Sequence, residues 1–166
     1  ADGSPVRYLE RAADPTRVVL YFEGGGACFS AATCAFDGPE TSYIPTSVAT
    51  PEWLAERGGI FDASNPQNPL AEHSFIYVPY CTGDVHSGSK LTVYDDAYPE
   101  TPRVQYHRGQ ANIAAAAQWL RAHLGQPRKM LLTGFSAGGV GSTVTYALMR
   151  NALAPTGNAT LLASDF

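Results

Sequence analysis

Four short apolar runs punctuate the chain, each too brief and too continuous to form one face of an amphipathic helix. Arg17-Val18-Val19-Leu20-Tyr21-Phe22 halts at Glu23 and three glycines, and Ser74-Phe75-Ile76-Tyr77-Val78 halts at Pro79. Lys129-Met130-Leu131-Leu132-Thr133 halts at Gly134, and Ala159-Thr160-Leu161-Leu162-Ala163 comes last. β-Branched and aromatic residues without polar alternation, bounded by Gly or Pro, predict strands buried on both faces. Between the second and third runs, Ile113, Ala117, Leu120 and Leu124 recur at helical spacing, predicting a helix over 107–124 that Gly125 stops. After Ser136, the positions Val140, Val144, Ala147 and Leu148 predict a second helix running to about Arg150. Buried strands separated by helices define an α/β chain, with a mostly parallel sheet covered by helices on both faces. Residues 36–72 carry Pro39, Pro45, Pro51, Pro66 and Pro69 with little periodicity. They predict a long excursion with at most one short helix near 52–57, either a functional loop or a surface insertion. No repeat, charge block or linker divides the chain, so a single domain over 1–166 is expected.

Composition narrows the classes. The 166 residues are 45% hydrophobic and 16% charged, enough apolar material for a real core. A net charge of −4 argues against a nucleic-acid binder, which needs a basic face to displace counterions from phosphate. Sixteen Gly and 12 Pro mark many loops but stay below the roughly 25–30% share of low-complexity chains. No apolar run approaches the ~18 residues of a membrane span. The start, Ala1-Asp2-Gly3-Ser4-Pro5, lacks the basic-then-apolar pattern of a signal segment, so an exported protein has already lost its own. Cys28, Cys34 and Cys81 form no Cys-x-x-Cys pair, which argues against structural zinc. Cys28 and Cys34, six residues apart, could staple a short loop in an oxidising compartment; the alternative is three small buried hydrophobes.

The sharpest chemical signal is Gly134-Phe135-Ser136-Ala137-Gly138-Gly139, a Gly-x-Ser-x-Gly pattern directly after a strand and opening a helix. That context is a nucleophile elbow: the turn is tight, larger flanking side chains would clash, and the serine oxygen stands above the sheet. The other reading is a small-residue packing turn. The second signal is Glu23-Gly24-Gly25-Gly26-Ala27-Cys28, again at a strand end. Acyl transfer builds negative charge on the carbonyl oxygen, and backbone N–H groups aimed at it lower the barrier. Ala137, following the serine, with Gly25 and Gly26 from the early glycine loop, are the expected oxyanion donors. A phosphate-cradling loop fits poorly, because no third glycine stands at Phe29 and no Gly-Lys-Ser/Thr follows.

These motifs and the stretch between them resemble a known family. Tyr21-Phe22-Glu23-Gly24-Gly25-Gly26-Ala27-Cys28 with Cys34 comes first, then Asn65-Pro66 and Asn68-Pro69. Tyr77-Val78-Pro79-Tyr80-Cys81-Thr82-Gly83-Asp84-Val85-His86-Ser87-Gly88 and the Ser136 elbow follow. Together they resemble the pectin acetylesterase and Notum family of secreted carboxylesterases, from about Arg17 to Phe166. The resemblance implies an α/β-hydrolase fold, a Ser-Asp-His triad, no metal or organic cofactor, and secretion. It implies Ser136 as nucleophile, with Gly25, Gly26 and Ala137 as oxyanion donors. Plant members deacetylate pectin and Notum removes a lipid from a signalling protein, so the implied substrate is an ester such as an acetylated polysaccharide. Members often carry an aromatic residue in the glycine-loop motif where this chain has Gly26-Ala27, a departure that bears on the shape of the acyl pocket.

The triad is incomplete in these residues. In α/β-hydrolases the acid and then the histidine follow the serine, yet His73, His86, His107 and His123 all precede Ser136. Only Asp165 lies beyond it, and it resembles the start of an Asp-Ser segment of the family and not the triad acid. The expectation is therefore that this chain is the N-terminal portion of the fold, with acid and histidine on residues absent here or on a second chain. The rival is His86, with Asp84 two residues before it, acting as a base out of order; otherwise the 84–86 loop lines the site or holds its own shape. His107 and Arg108 are expected as surface residues opening the long helix, and Trp53 and Trp119 as packing residues. Asn158-Ala159-Thr160 fits a glycosylation acceptor, a triplet that also arises by chance. The enzymatic alternatives are esters of a lipid, an aryl alcohol or a polyester; the non-enzymatic one is a silent binding module.

Overall fold

The four apolar runs become four parallel strands of one sheet. The computed structural model describes residues 5–35, 50–95, 103–153 and 159–163. In chain order its strands are β1 (Leu9–Arg11), β2 (Asp14–Phe22), β3 (His73–Val78), β4 (Lys90–Tyr94), β5 (Arg103–His107), β6 (Lys129–Gly134) and β7 (Ala159–Ala163). The helices are α1 (Ala31–Cys34), α2 (Pro51–Glu56), α3 (Gly109–Leu124) and α4 (Ala137–Leu153), with a 3₁₀ turn at Gly59–Phe61. The main sheet runs β1-β3-β2-β6-β7. All its pairings are parallel except that of β1 with β3.

Register explains why the runs show no polar alternation. Val18, Leu20 and Phe22 of β2 share one face with Ile76, Val78, Met130 and Leu132. That face packs on Ile113, Ala117 and Leu120 of α3 and on Met149 and Leu153 of α4. Val19, Phe75 and Tyr77 point the other way, onto Trp53, Leu54, Ile60, Phe61 and Leu70 of the excursion. Each large side chain so covered contributes roughly 1.5–3 kcal/mol. Both long helices thus share one face, and α2 with the 3₁₀ turn covers the other. Trp53 packs edge-on to Tyr77, and Trp119 lies against the helical core.

Three features differ from expectation. First, β1 is only three residues long and carries no readable period. Second, β4 and β5 form a separate antiparallel pair whose apolar residues Leu91, Val93 and Val104 are exposed. Third, His107 does not open the long helix: it ends β5 and is buried, while Gly109 begins α3. Gly125 ends α3 as expected, with φ 70° and its N–H on the Arg121 carbonyl.

β2 also starts earlier than its apolar run. The Asp14 carboxylate accepts bonds from Thr16 N (2.8 Å), Thr16 Oγ1 (2.7 Å) and Arg17 Nε (2.8 Å). The Thr16 hydroxyl, then the Arg17 guanidinium, hold its pKa down to about 2, against 3.8 unperturbed. A depressed carboxylate stabilises the fold above its unfolded pKa and loses that contribution as pH falls through the folded value. Asp14→Asn is therefore expected to lower the denaturant midpoint at pH 7, and the gap to wild type to close as pH falls from about 4 to about 2. A gap at pH 2 as large as that at pH 7 contradicts the assignment.

Candidate active site

At the end of β6 the chain reverses within two residues and enters α4 at Ala137. Ser136 takes φ 52°, a left-handed conformation that costs a non-glycine residue about 1–3 kcal/mol and survives only where its surroundings over-determine it. The surroundings here are backbone. Phe135 N donates to the Phe22 carbonyl (3.3 Å), Gly138 N to the Phe135 carbonyl (2.8 Å) and Val140 N to the Ser136 carbonyl (3.2 Å). A Cβ at Gly138 would overlap the Phe22 carbonyl oxygen, and one at Gly134 would overlap Gly138. Ser136 remains partly exposed, and Ala137, as the first residue of α4, has an N–H with no partner in its own helix.

The glycine loop lies directly against this turn. A Cβ at Gly24 would overlap the Phe135 carbonyl oxygen and approach Ser136 Cβ to 3.1 Å. Gly25 (φ 149°) and Gly26 (φ 72°) then adopt backbone angles that side chains rarely tolerate. Glu23 anchors the loop's start: its N–H donates to the Val78 carbonyl, and its carboxylate accepts from Tyr80 N at 3.0 Å. Beyond the glycines, Cys28 and Cys34 form a disulfide, so the three-hydrophobe alternative falls away for that pair. The disulfide is buried with Tyr80 and Ala137, and Cys28 N donates to the Gly83 carbonyl at 2.8 Å. Ser30 and Thr33 cap the short α1 reciprocally.

The 82–88 loop underlies these elements. Asp84 accepts from Thr82 Oγ1 (2.6 Å), His86 N (3.1 Å), Gly88 N (3.1 Å) and Gly109 N (2.8 Å). Val85 and His86 are left-handed, at φ 50° and 61°. The buried His86 ring stacks with Phe22 (centroids 5.1 Å) and meets Tyr80 at a tilt (4.8 Å). Its Nε2 lies 2.8 Å from the Glu23 carbonyl oxygen. A carbonyl only accepts, so that nitrogen carries the proton. Burial pushes the imidazole pKa down, against smaller upward pulls from Glu23 and Asp84.

The other histidines are placed elsewhere. His107 donates from Nδ1 to the Thr82 carbonyl (2.9 Å), leaving Nε2 to accept from the Tyr94 hydroxyl (2.9 Å). His73 starts β3, at the opposite end of the sheet from Ser136, and His123 stacks on Trp119 at 4.2 Å. None of the four is hydrogen-bonded to Ser136. Asp165 and Asn158 lie outside the described residues, as does 36–49 of the excursion. Sequence reasoning missed the Tyr80 hydroxyl that accepts from Val85 N and the Gln105 amide that donates to the Thr82 carbonyl. The first spans five residues of irregular loop and the second 23, and neither falls on a helical or strand period. Among the described residues no three His, Cys, Asp or Glu side chains gather as a metal site, and no helix is long and apolar enough to cross a membrane.

Parallel strands, a strained serine at a strand-to-helix turn and a glycine loop against it define an α/β-hydrolase-type fold. The chain belongs to the pectinacetylesterase family, whose profile matches residues 1–164. It is 28% identical over 156 residues to the palmitoleoyl-protein carboxylesterase notum1' of Xenopus laevis, covering 92% of this chain and 30% of that protein. It is 33% identical over 94 residues to the inactive palmitoleoyl-protein carboxylesterase notum1b of Danio rerio, covering 53% of this chain and 64% of that one. The fold matches the structure of the Wnt deacylase Notum from Drosophila with a TM-score of 0.64 at 20% identity, over 98% of this chain and 48% of that one. The chain thus spans about a third of the first of these relatives and about half of the solved one.

The elbow's geometry is directly testable. Gly138→Ala drives a methyl into the Phe22 carbonyl, a backbone atom that cannot retreat, and is expected to cost about 3 kcal/mol, the upper end of ordinary overpacking. Urea denaturation measures it; an unchanged midpoint contradicts the close approach.

Proposed function

We infer that this chain carries the nucleophile and oxyanion hole of a serine carboxylesterase acting on an acetylated polysaccharide. The observation that carries the reading is the seating of Gly24 against Ser136, which brings the glycine loop and the strained serine together at the sheet's C-terminal edge. Ser136 Oγ attacks the ester carbonyl, and charge collects on the carbonyl oxygen. Ala137 N–H, with Gly25 and Gly26 N–H, stabilises that charge. The alcohol leaves, an acyl-serine remains, and water releases the acid. The base that takes the serine proton, and its acidic partner, come from residues outside these 166. The absence of a hydrogen bond from any of the four histidines to Ser136, and the chain order of this fold class, support that placement. The buried Cys28–Cys34 disulfide supports secretion. The family's name favours acetyl esters of pectin, and the names of the Notum relatives favour a long acyl chain.

The test is acetate release from acetylated pectin by the protein with its remaining triad, beside hydrolysis of 4-nitrophenyl acetate and palmitate. Acetate release, preference for the short ester, and a loss of roughly 10⁴-fold or more in Ser136→Ala are expected. Preference for palmitate redirects the substrate to lipid esters. Full turnover by these 166 residues alone contradicts the external histidine. One relative is named inactive, which gives a silent binding module its support; polysaccharide binding without turnover would establish it.

A further inference from the structure

A glycine loop is a poor choice for holding backbone donors still, because glycine loses more conformational freedom on ordering than any other residue. Something outside the loop must fix it. The Glu23 carbonyl belongs to the same planar peptide as Gly24 N, so whatever holds that carbonyl sets the direction in which the chain enters Gly24-Gly25-Gly26. The group that holds it is His86 Nε2, at 2.8 Å.

We propose that His86 is a positioning residue: its Nε2–H locks the Glu23–Gly24 peptide and so holds the oxyanion loop in register with the Ser136 elbow. The proposal rests on the esterase reading above and adds a residue to it.

Three observations carry it. The ring is 2% exposed and touches both halves of the site at once. It stacks on Phe22, the last residue of β2, and it also abuts α4, where a Cβ added at Gly141 would stand 2.7 Å from its Cδ2. Second, the ring's direction is imposed from below. His86 N is tied to Asp84, Val85 N to the Tyr80 hydroxyl, and Asp84 in turn to the first N–H of α3. Third, a phenyl ring would fill the same space between Phe22 and Tyr80 without the cost of burying an imidazole. What the imidazole adds is the donor. Because Nε2 carries the proton and spends it on the Glu23 carbonyl, that nitrogen is not available as a base toward Ser136.

The experiment compares His86→Phe, which keeps a ring and removes the donor, with His86→Gln, whose side-chain amide can restore a donor near Nε2. The expected result for His86→Phe is KM within about twofold of wild type and kcat for 4-nitrophenyl acetate lower by roughly 10- to 100-fold, the scale of a small misplacement of catalytic groups. His86→Gln is expected to recover part of that loss. Amide hydrogen exchange at residues 24–26 is expected to quicken in His86→Phe and not in His86→Gln. Wild-type kcat in His86→Phe overturns the proposal, as do equal losses in both variants with unchanged exchange at 24–26. If His86→Phe does not fold, Gly141→Ala, which crowds the ring beside Nε2, is read the same way. All of these measurements use the protein with its remaining triad; if that wild-type protein turns over no ester, the esterase reading fails by itself. The exchange arm then decides the positioning role: quickened exchange upholds it, and unchanged exchange overturns it.

Discussion

The structure depends on one close approach of backbone to backbone, at the Phe22 carbonyl. There the end of β2, the turn after β6 and the first residues of α4 come so near that Gly138 admits no Cβ, and Phe135 N reaches the same carbonyl. The approach makes the Ser136 turn tight enough to hold a left-handed serine. It also leaves no room for a side chain at Gly24, which brings the glycine loop onto the serine. Enlarging any of these glycines would push apart the groups whose spacing defines the site.

The layers around this junction explain its rigidity. β2 and β6 are central in the five-stranded sheet, with apolar side chains buried on both faces. Strands so covered are among the last parts of a fold to open, so the turn and the glycine loop spring from the stiffest part of the molecule. The loop itself has no such core. It is held by a disulfide against Ala137, by the Glu23 carboxylate on Tyr80 N, and by the 82–88 loop beneath it. That loop is in turn clasped by Asp84 on four donors and by His107 and Gln105 on the Thr82 carbonyl. Residues far apart in sequence thus form one continuous polar scaffold from β5 to the glycine loop.

What could be read from the chain follows from the range of the forces involved. The parallel strands were legible as unbroken apolar runs, which in β2, β3 and β6 follow from burial on both faces, and the elbow was legible because its steric demand falls on adjacent residues. Helical period placed α3 and α4 within two or three residues, but a period cannot say which side of the sheet a helix covers, and both took the same side. His107 misled because a polar residue just before an apolar period reads as a helix start; its true partner strand begins at Lys90, and pairing across that gap leaves no local mark. The Cys28–Cys34 spacing allowed a disulfide without requiring it. The contact between His86 and Glu23 spans 63 residues and was beyond any local pattern.

The central claim is that Ser136 is an activated nucleophile. Intact mass before and after treatment with a fluorophosphonate, followed by peptide mapping, tests it on the protein with its remaining triad in place. A single adduct on Ser136, absent from Ser136→Ala, is the predicted result. An ester-hydrolysing protein that takes no adduct, or takes it on another residue, would contradict the account.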